Sequence, residues 1–298
     1  MLLLKPADIT PSMVTASNAG AVDADYDPAT SYGLNARVFL HETGKAYTCI
    51  QAPAIDKYPS TNPLYWMLSG PSNRWAMWDT EISTASQTTG SLTTTVVVPT
   101  RCNAMSLHGL SGQTLTVVQR SPDGVLLKTH TQSLATKATT WYSYFFGQRE
   151  QVREVLITGL PPIGGCSYEI TVGTDAGGPA ACAAVNIGNA TDIGSAEFGF
   201  ATSIIDYSRK ETSSTGVQSL KQGRYSKRMS GTLRMTRAQY NTVSELLESV
   251  RSIPCTWVGV PGKADYAPMT FLGFFRDFQI EVTGPTHHIC SLEIEGLT

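Results

Sequence analysis

The sequence is poor in charge: 15% of its 298 residues are Asp, Glu, Lys or Arg, and the formal net charge is -2. It also lacks a long apolar run. Leu2, Leu3 and Leu4 open the chain, but Lys5-Pro6 stops the run at once. A secretory leader needs a longer apolar stretch, and a membrane span needs about 20 residues. The sequence therefore predicts folding in the cytoplasm and no membrane insertion. No Cys-x-x-Cys pair occurs. Cys49, Cys102, Cys166, Cys182, Cys255 and Cys290 are far apart, which argues against a zinc site built on close ligand pairs. Most have apolar neighbours, so buried free thiols are expected in place of disulfides.

Catalytic signatures are equally scarce. There is no Gly-x-Ser-x-Gly elbow, and the glycine-rich stretch 173–194 is not followed by the Gly-Lys-Ser/Thr of a phosphate loop. It reads as a linker or strand edge. His287-His288 has no cysteine or acid cluster at metal spacing and reads as structural, while His41, His108 and His130 are scattered. A glycosidase needs two carboxylates across a cleft. Asp79, Glu81, Glu150 and Glu154 are candidates, but sequence brings no two of them together. The expectation is a chain with no cofactor and no metal that is not an enzyme.

What is present points to β structure. Ser and Thr are abundant, 26 Gly and 16 Pro punctuate the chain, and aromatic and β-branched residues run throughout, which excludes disorder. The length has room for two domains. Residues 1–25 read as an N-terminal arm, free to add to a sheet edge, lie along a neighbour or fray. Residues 26–192 read as a β-sandwich of jelly-roll or galactose-binding-like type. Strands are expected over 37–40 and 46–50, 91–99, 104–107, 115–119, 125–127, the aromatic run 139–146, 154–158 and 168–172, with Ser121-Pro122-Asp123-Gly124 as a hairpin turn. Residues 66–79 hold three of the five tryptophans. Trp66, Arg74, Trp75, Trp78 and Asp79 are expected as the folding centre of the sandwich. Trp75 to Trp78 would form a strand apolar on both faces, with Arg74 and Asp79 as a supporting polar pair. Alternatively, the segment is a sugar-stacking or partner platform. Trp141, Tyr142 and Tyr144 are the candidates for stacking on sugar faces.

Residues 193–298 differ. Arg209, Lys210, Lys221, Arg224, Lys227, Arg228, Arg234 and Arg237 fall in one stretch whose acids are Asp206 and Glu211. Met229, Leu233 and Met235, with Tyr225, share one face of a strand, with Arg228 and Arg234 on the other. A helix is predicted over 236–252, opened by a Thr236/Gln239 capping box and carrying Tyr240, Val243, Leu246, Leu247 and Val250 at helical spacing before Pro254. Strands follow over 255–260, 269–282 and 288–297. This order gives a β-sheet packed on one amphipathic helix.

Residues 70–79, Gly-Pro-Ser-Asn-Arg-Trp-Ala-Met-Trp-Asp, resemble a motif of structural proteins in tailed bacteriophages. Asp206-Tyr207-Ser208-Arg209-Lys210, Tyr225-Ser226-Lys227-Arg228, Gly273-Phe274-Phe275-Arg276-Asp277-Phe278 and Ser291-Leu292-Glu293-Ile294-Glu295-Gly296-Leu297 are similar to the same group. These are distal tail or baseplate proteins of long-tailed phages with a carbohydrate-binding-like sandwich attached. The resemblance spans most of residues 26–298. It implies a tail-tube-like fold for 193–298, assembly of copies into rings that are usually six-fold, tail-tube and baseplate partners, and a place in the virion tail tip. Arg209, Lys210, Arg224, Lys227, Arg228 and Arg234 would then face neighbouring subunits or line a lumen through which DNA passes; subunit contacts are preferred. A host surface glycan is the alternative partner.

Overall fold

The computed structural model describes residues 1–20, 24–40, 42–135, 141–146, 151–174, 177–212, 218–262 and 268–297. The chain folds into two compact units. Unit 1 comprises Met1–Pro6, Ala104–Ser106 and Asn186–Thr298; unit 2 comprises Ala7–Asn103 and Leu107–Val185. Both are mostly β, with strands paired antiparallel. The division differs from the expected one: the chain passes into unit 1 at residue 186, and of the first residues Leu2–Pro6 joins unit 1 while Val14–Ser17 adds to a sheet edge in unit 2.

In unit 1 the sheet runs in the order residues 188–192, Leu2–Pro6, Cys255–Val258, Thr270–Glu281, His287–Gly296 and Tyr225–Thr236. Ala201–Asp206 and Ser195–Ala196 share the far edge of the last strand. Leu2–Pro6 is thus an interior strand, in register with Asp192 to Gly188 on one side and Val258 to Thr256 on the other. Its apolar run explains the placement. Leu3 and Leu4 are fully buried, each stabilising by roughly 1.5–3 kcal/mol. The glycine- and alanine-rich stretch, expected as a linker or strand edge, contributes the strands Pro179–Cys182 and Ala184–Asp192. Small residues serve close approach there: a Cβ on Gly188 would lie 1.9 Å from the Lys5 carbonyl oxygen.

One face of this sheet packs on the helix Tyr240–Ser249. The helix is entered through the 3-10 turn Arg237–Gln239 with the capping box in place. Gln239 Oε1 accepts from the Thr236 N–H at 3.0 Å and from its hydroxyl at 2.9 Å. Val243, Leu247 and Val250 are buried among Met229, Leu233, Trp257, Cys290, Leu292 and Ile294. The helix stops earlier than expected, where the Val250 N–H bonds back to Leu246 and Leu247 and Ser252 takes φ 61°. Three buried polar side chains satisfy one another: Ser106 and Thr256 hydroxyls lie 2.6 Å apart, and Asn186 Nδ2 donates to Thr256 Oγ1 at 3.3 Å.

Unit 2 holds a five-stranded sheet in the order Leu126–Ser133, Thr114–Arg120, Cys166–Gly173, Leu92–Val98 and Val14–Ser17. Leu92–Val98 and Cys166–Gly173 alternate between buried and half-buried side chains along their whole length, the pattern of a strand with one face in a core. Gly124 closes the expected hairpin turn with φ 80°. This unit also holds a three-stranded sheet of Arg37–Leu40, Lys45–Cys49 and Trp66–Pro71 and the pair Ser86–Thr89 with Pro179–Cys182. Residues 141–146 form a short helix, Trp141–Phe146, where a β segment was expected.

All six cysteines are free and buried. Burial pushes the Cys182 and Cys255 thiols up to about 12 and Cys290 to about 11. No helix among the described residues is long and apolar enough to cross a membrane.

Gly188→Ala drives a methyl group into backbone, and overpacking of this kind costs about 1–3 kcal/mol. Thermal unfolding should therefore register a clear loss for Gly188→Ala. Gly33→Ala, whose Cβ would meet nothing within 4 Å, should leave the transition within experimental error. Equal effects of the two would contradict the interior placement of Leu2–Pro6.

Candidate functional site

The most exposed regular structure in unit 1 is a long hairpin. Its base is the pairing of Ala201–Asp206 with Tyr225–Thr236, running from Ala201 opposite Ser230 to Asp206 opposite Tyr225. Its outer part pairs Arg209–Thr212 with Gln218–Lys221. The two parts are continuous: the Tyr207 N–H donates to the Arg224 carbonyl at 3.0 Å, and the Gly223 N–H to the Ser208 hydroxyl at 3.0 Å. A turn built on Asp206 fixes the join. Ser208 donates to its carboxylate from the hydroxyl at 2.6 Å and from the N–H at 2.9 Å, which holds that carboxyl below its usual range. Gly223 is required at the join, since a Cβ there would lie 2.5 Å from the Tyr207 carbonyl oxygen.

Every described side chain of the outer part is exposed, on both faces. Arg209 stands directly opposite Lys221, and Lys210 opposite Leu220. Lys221 meets Glu211 at 2.8 Å. No acid among the described residues lies within ion-pair reach of Arg209, Lys210 or Arg224. Ile204, Tyr207, Leu220 and Tyr225 are more than half exposed or at the half-way mark, Leu220 at 82%. The arm therefore offers cations interleaved with apolar side chains. Tyr225 departs from the expected face: it is exposed, whereas Met229, Leu233 and Met235 are buried.

The other members of the basic stretch lie outside the exposed outer part of the hairpin, so the stretch is not one surface. Arg228 Nη2 is bonded to Glu293 on the adjacent strand, two residues from its register partner Glu295, and Arg276 Nη1 lies 3.7 Å from the same carboxylate. Arg228 thus meets an acid of its own chain. Lys227 is half-buried in the same strand. Arg234 borders a separate 570 Å³ surface depression shared with Asp192, Ser195, Thr236, Gln239 and His287.

In unit 2 the tryptophan segment divides at its turn. Trp66 is buried, donates from Nε1 to the Lys57 carbonyl at 2.7 Å, and is met edge-on by Tyr26 and Tyr32 with ring centroids 6.0 and 5.3 Å away. After Pro71 the chain turns into the 3-10 helix Ala76–Trp78, not a strand. Ser72 causes this. Its carbonyl accepts the Trp75 and Ala76 N–H groups at 2.9 and 2.8 Å, and its buried hydroxyl accepts from Trp75 at 3.3 Å. Trp78 is buried, but Trp75 is half-buried and lies over Gly44, where a Cβ would come within 2.4 Å of the indole.

Arg74 and Asp79 are not a pair. Arg74 Nη2 donates to the Val14 carbonyl at 2.5 Å, while Asp79 accepts from Thr84 Oγ1 at 2.7 Å and the Glu81 N–H at 2.8 Å. Partial burial raises the Asp79 carboxyl above its ordinary range against those two bonds. Trp141 and Tyr142, the glycan candidates, are 81% and 74% exposed on their short helix, and Trp141 stacks on Phe145 at 6.2 Å. The side chain of Tyr144 lies outside the described residues, as do His41 and Glu150.

The arm's continuity was hidden from sequence by the Ser208 turn, which breaks alternation. The Arg228 partner was hidden by distance along the chain. Half-buried charges with charge-assisted bonds contribute more than exposed ones. Arg228 and Glu293 side chains are 37% and 29% exposed, Lys221 and Glu211 67% and 50%. Chemical denaturation should therefore show a loss of about 1–2 kcal/mol for Glu293→Gln, with Glu211→Gln within about 0.5 kcal/mol of the parent protein.

No protein-family profile matches this chain, and no curated protein does. Solved structures similar to part of it include two at low identity. The F5/8 type C domain of a Bacteroides fragilis protein is 17% identical, over 38% of this chain and 77% of that one, with a TM-score of 0.24. A pectin-binding carbohydrate-binding module is 16% identical over the same shares, with a TM-score of 0.25. At these scores the likeness identifies neither family nor ligand.

Proposed function

We propose that the protein is a structural component that assembles with copies of itself through the arm of unit 1. The observation that carries this is the arm itself. A two-stranded ribbon exposed on both faces is at best marginally stable alone, and Arg209 facing Lys221 adds like-charge repulsion. Contact with an acid-bearing surface relieves both. A repeated head-to-tail contact between copies closes into a ring when the rotation permits. The sequence resemblance supplies the setting: a ring at the distal end of a long phage tail, between tube and baseplate, with the role structural and not catalytic. DNA would pass through the lumen without being read. Charge at the contact sets register and partner choice more than affinity.

A second reading, binding of a host surface glycan, rests on Trp141 and Tyr142, whose exposed rings could stack on sugar faces. It is compatible with the first in one chain.

Light scattering and negative-stain imaging of the full chain test the main reading. Arg209→Glu with Lys210→Glu should abolish rings at unchanged melting temperature, and raised ionic strength should weaken them. A parent protein that stays without rings at all concentrations overturns it. Strong salt-dependent DNA binding, lost in the same variant, would assign the arm to nucleic acid instead. On a glycan array, Trp141→Ala should remove any signal that the parent gives; a parent with none rejects the second reading.

A further inference from the structure

Unit 1 carries a second surface whose charge is opposite to that of its arm. It is the face of the sheet turned away from the helix. On the strand Thr270–Glu281, Phe275, Phe278 and Ile280 pack with the helix core. Asp277, Gln279 and Glu281 therefore alternate onto the opposite face, and all three are exposed. Asp277 stands in register with Glu293 and Ser230, Gln279 with Ser291 and Thr232, and Glu281 with Ile289 and Arg234. A shallow groove of 290 Å³ runs over the first two of these rows.

The carboxylates of this face are of two kinds. Glu293 is held by Arg228 and Arg276. Asp277 and Glu281 have no cation within ion-pair reach among the described residues. They stand about 14 Å apart by strand rise. The arm is the converse, with Arg209, Lys210 and Arg224 lacking an acid among the described residues. Each surface also sets an apolar side chain beside its charge. Leu220, 82% exposed, stands opposite Lys210, and Val282, 72% exposed, follows Glu281. Glu245 and Glu248, exposed on the helix, are the rival acids of this unit, but Arg251 folds against Glu248 and donates to its carbonyl at 3.1 Å.

The arm of the same chain is directed away from these carboxylates. It leaves the sheet past Tyr225, the end at which Arg228 registers with Glu295 and Glu295 with Phe274. Glu281 lies toward the other end, level with Arg234, roughly 30 Å along the strand from Tyr225.

Building on the reading that copies assemble through the arm, we infer that the arm of one copy docks on this face of the next, Arg209 and Lys210 meeting Asp277 and Glu281. Each surface gains the counter-charge that its own chain does not give it. The repulsion between Arg209 and Lys221 falls as the acids approach. Arm and face are different patches, so the contact is heterologous and repeats from copy to copy.

Charge reversal in the full chain is the test, read by sedimentation, with melting temperature as the check on folding. Arg209→Glu/Lys210→Glu and Asp277→Lys/Glu281→Lys should each raise the concentration needed for assembly at least about tenfold. An equimolar mixture of the two should assemble, because each variant's arm then meets a face of opposite charge. Glu245→Lys/Glu248→Lys should assemble as the parent does. Should the face reversal fail to fold, Asp277→Asn/Glu281→Gln decides by the same weakening. A folded face variant that assembles like the parent overturns the inference and leaves the assembly reading standing. So does a mixture that stays unassembled, or assembly lost to the helix reversal and kept by the face reversal. A parent that never assembles overturns both.

Discussion

The sheet of unit 1 depends on one strand. Residues 188–192 and Cys255–Val258 are each paired to Leu2–Pro6, and the sheet order connects them only through it. Two fully buried leucines anchor the strand, and the close approach of the Lys5 carbonyl to Gly188 sets its spacing. Removing it would open two backbone edges in the interior and uncover the face on which the helix packs. Unpaired buried backbone groups are among the costliest defects in a fold. The separation in sequence also matters: the strand's partners lie beyond the whole of unit 2 in the chain. Unit 1 therefore has high contact order, and such folds form slowly.

The charges sort by burial into two populations with different work. Glu293 gathers Arg228 and Arg276 on a sheet face and ties adjacent strands together. The arm's cations are exposed and, among the described residues, Arg209, Lys210 and Lys221 make no ion pair beyond Lys221–Glu211. A contiguous basic run in sequence thus separates into a structural part and a surface part. The tryptophan segment separates in the same way. Trp66 and Trp78 belong to cores, whereas Met67 and Leu68 between them face outward.

Much of the fold was legible because its signal is local. Alternation over Leu92–Val98, the Pro-Asp-Gly turn and the Thr236/Gln239 capping box each involve neighbours within a few residues, so periodicity and turn chemistry suffice. Three features were not. The pairing of Leu2–Pro6 is specified by partners far along the chain, and five residues carry too little pattern to reveal them. The 3-10 helix Ala76–Trp78 arises because Ser72 captures two N–H groups, and this local competition overrides an apparent alternation. Trp141–Phe146 reads as strand by aromatic content, yet adopts a helix, a reminder that β propensity reports packing more than backbone preference. At the candidate site, the cations were legible as a cluster in sequence. Their division between arm and sheet was not, because it depends on where Glu293 returns.

The buried thiols have a consequence for how the molecule can fail. Held in apolar surroundings with elevated pKa, Cys182, Cys255 and Cys290 are inert while the fold is closed. Unfolding would release all six cysteines at once, at ordinary acidity and with no native disulfide to guide their re-pairing. In an oxidising medium each excursion to the open state then risks a wrong cross-link that no refolding can undo. Durability under such conditions follows the population of the open state where re-closing outruns oxidation, and the rate of opening where oxidation outruns re-closing.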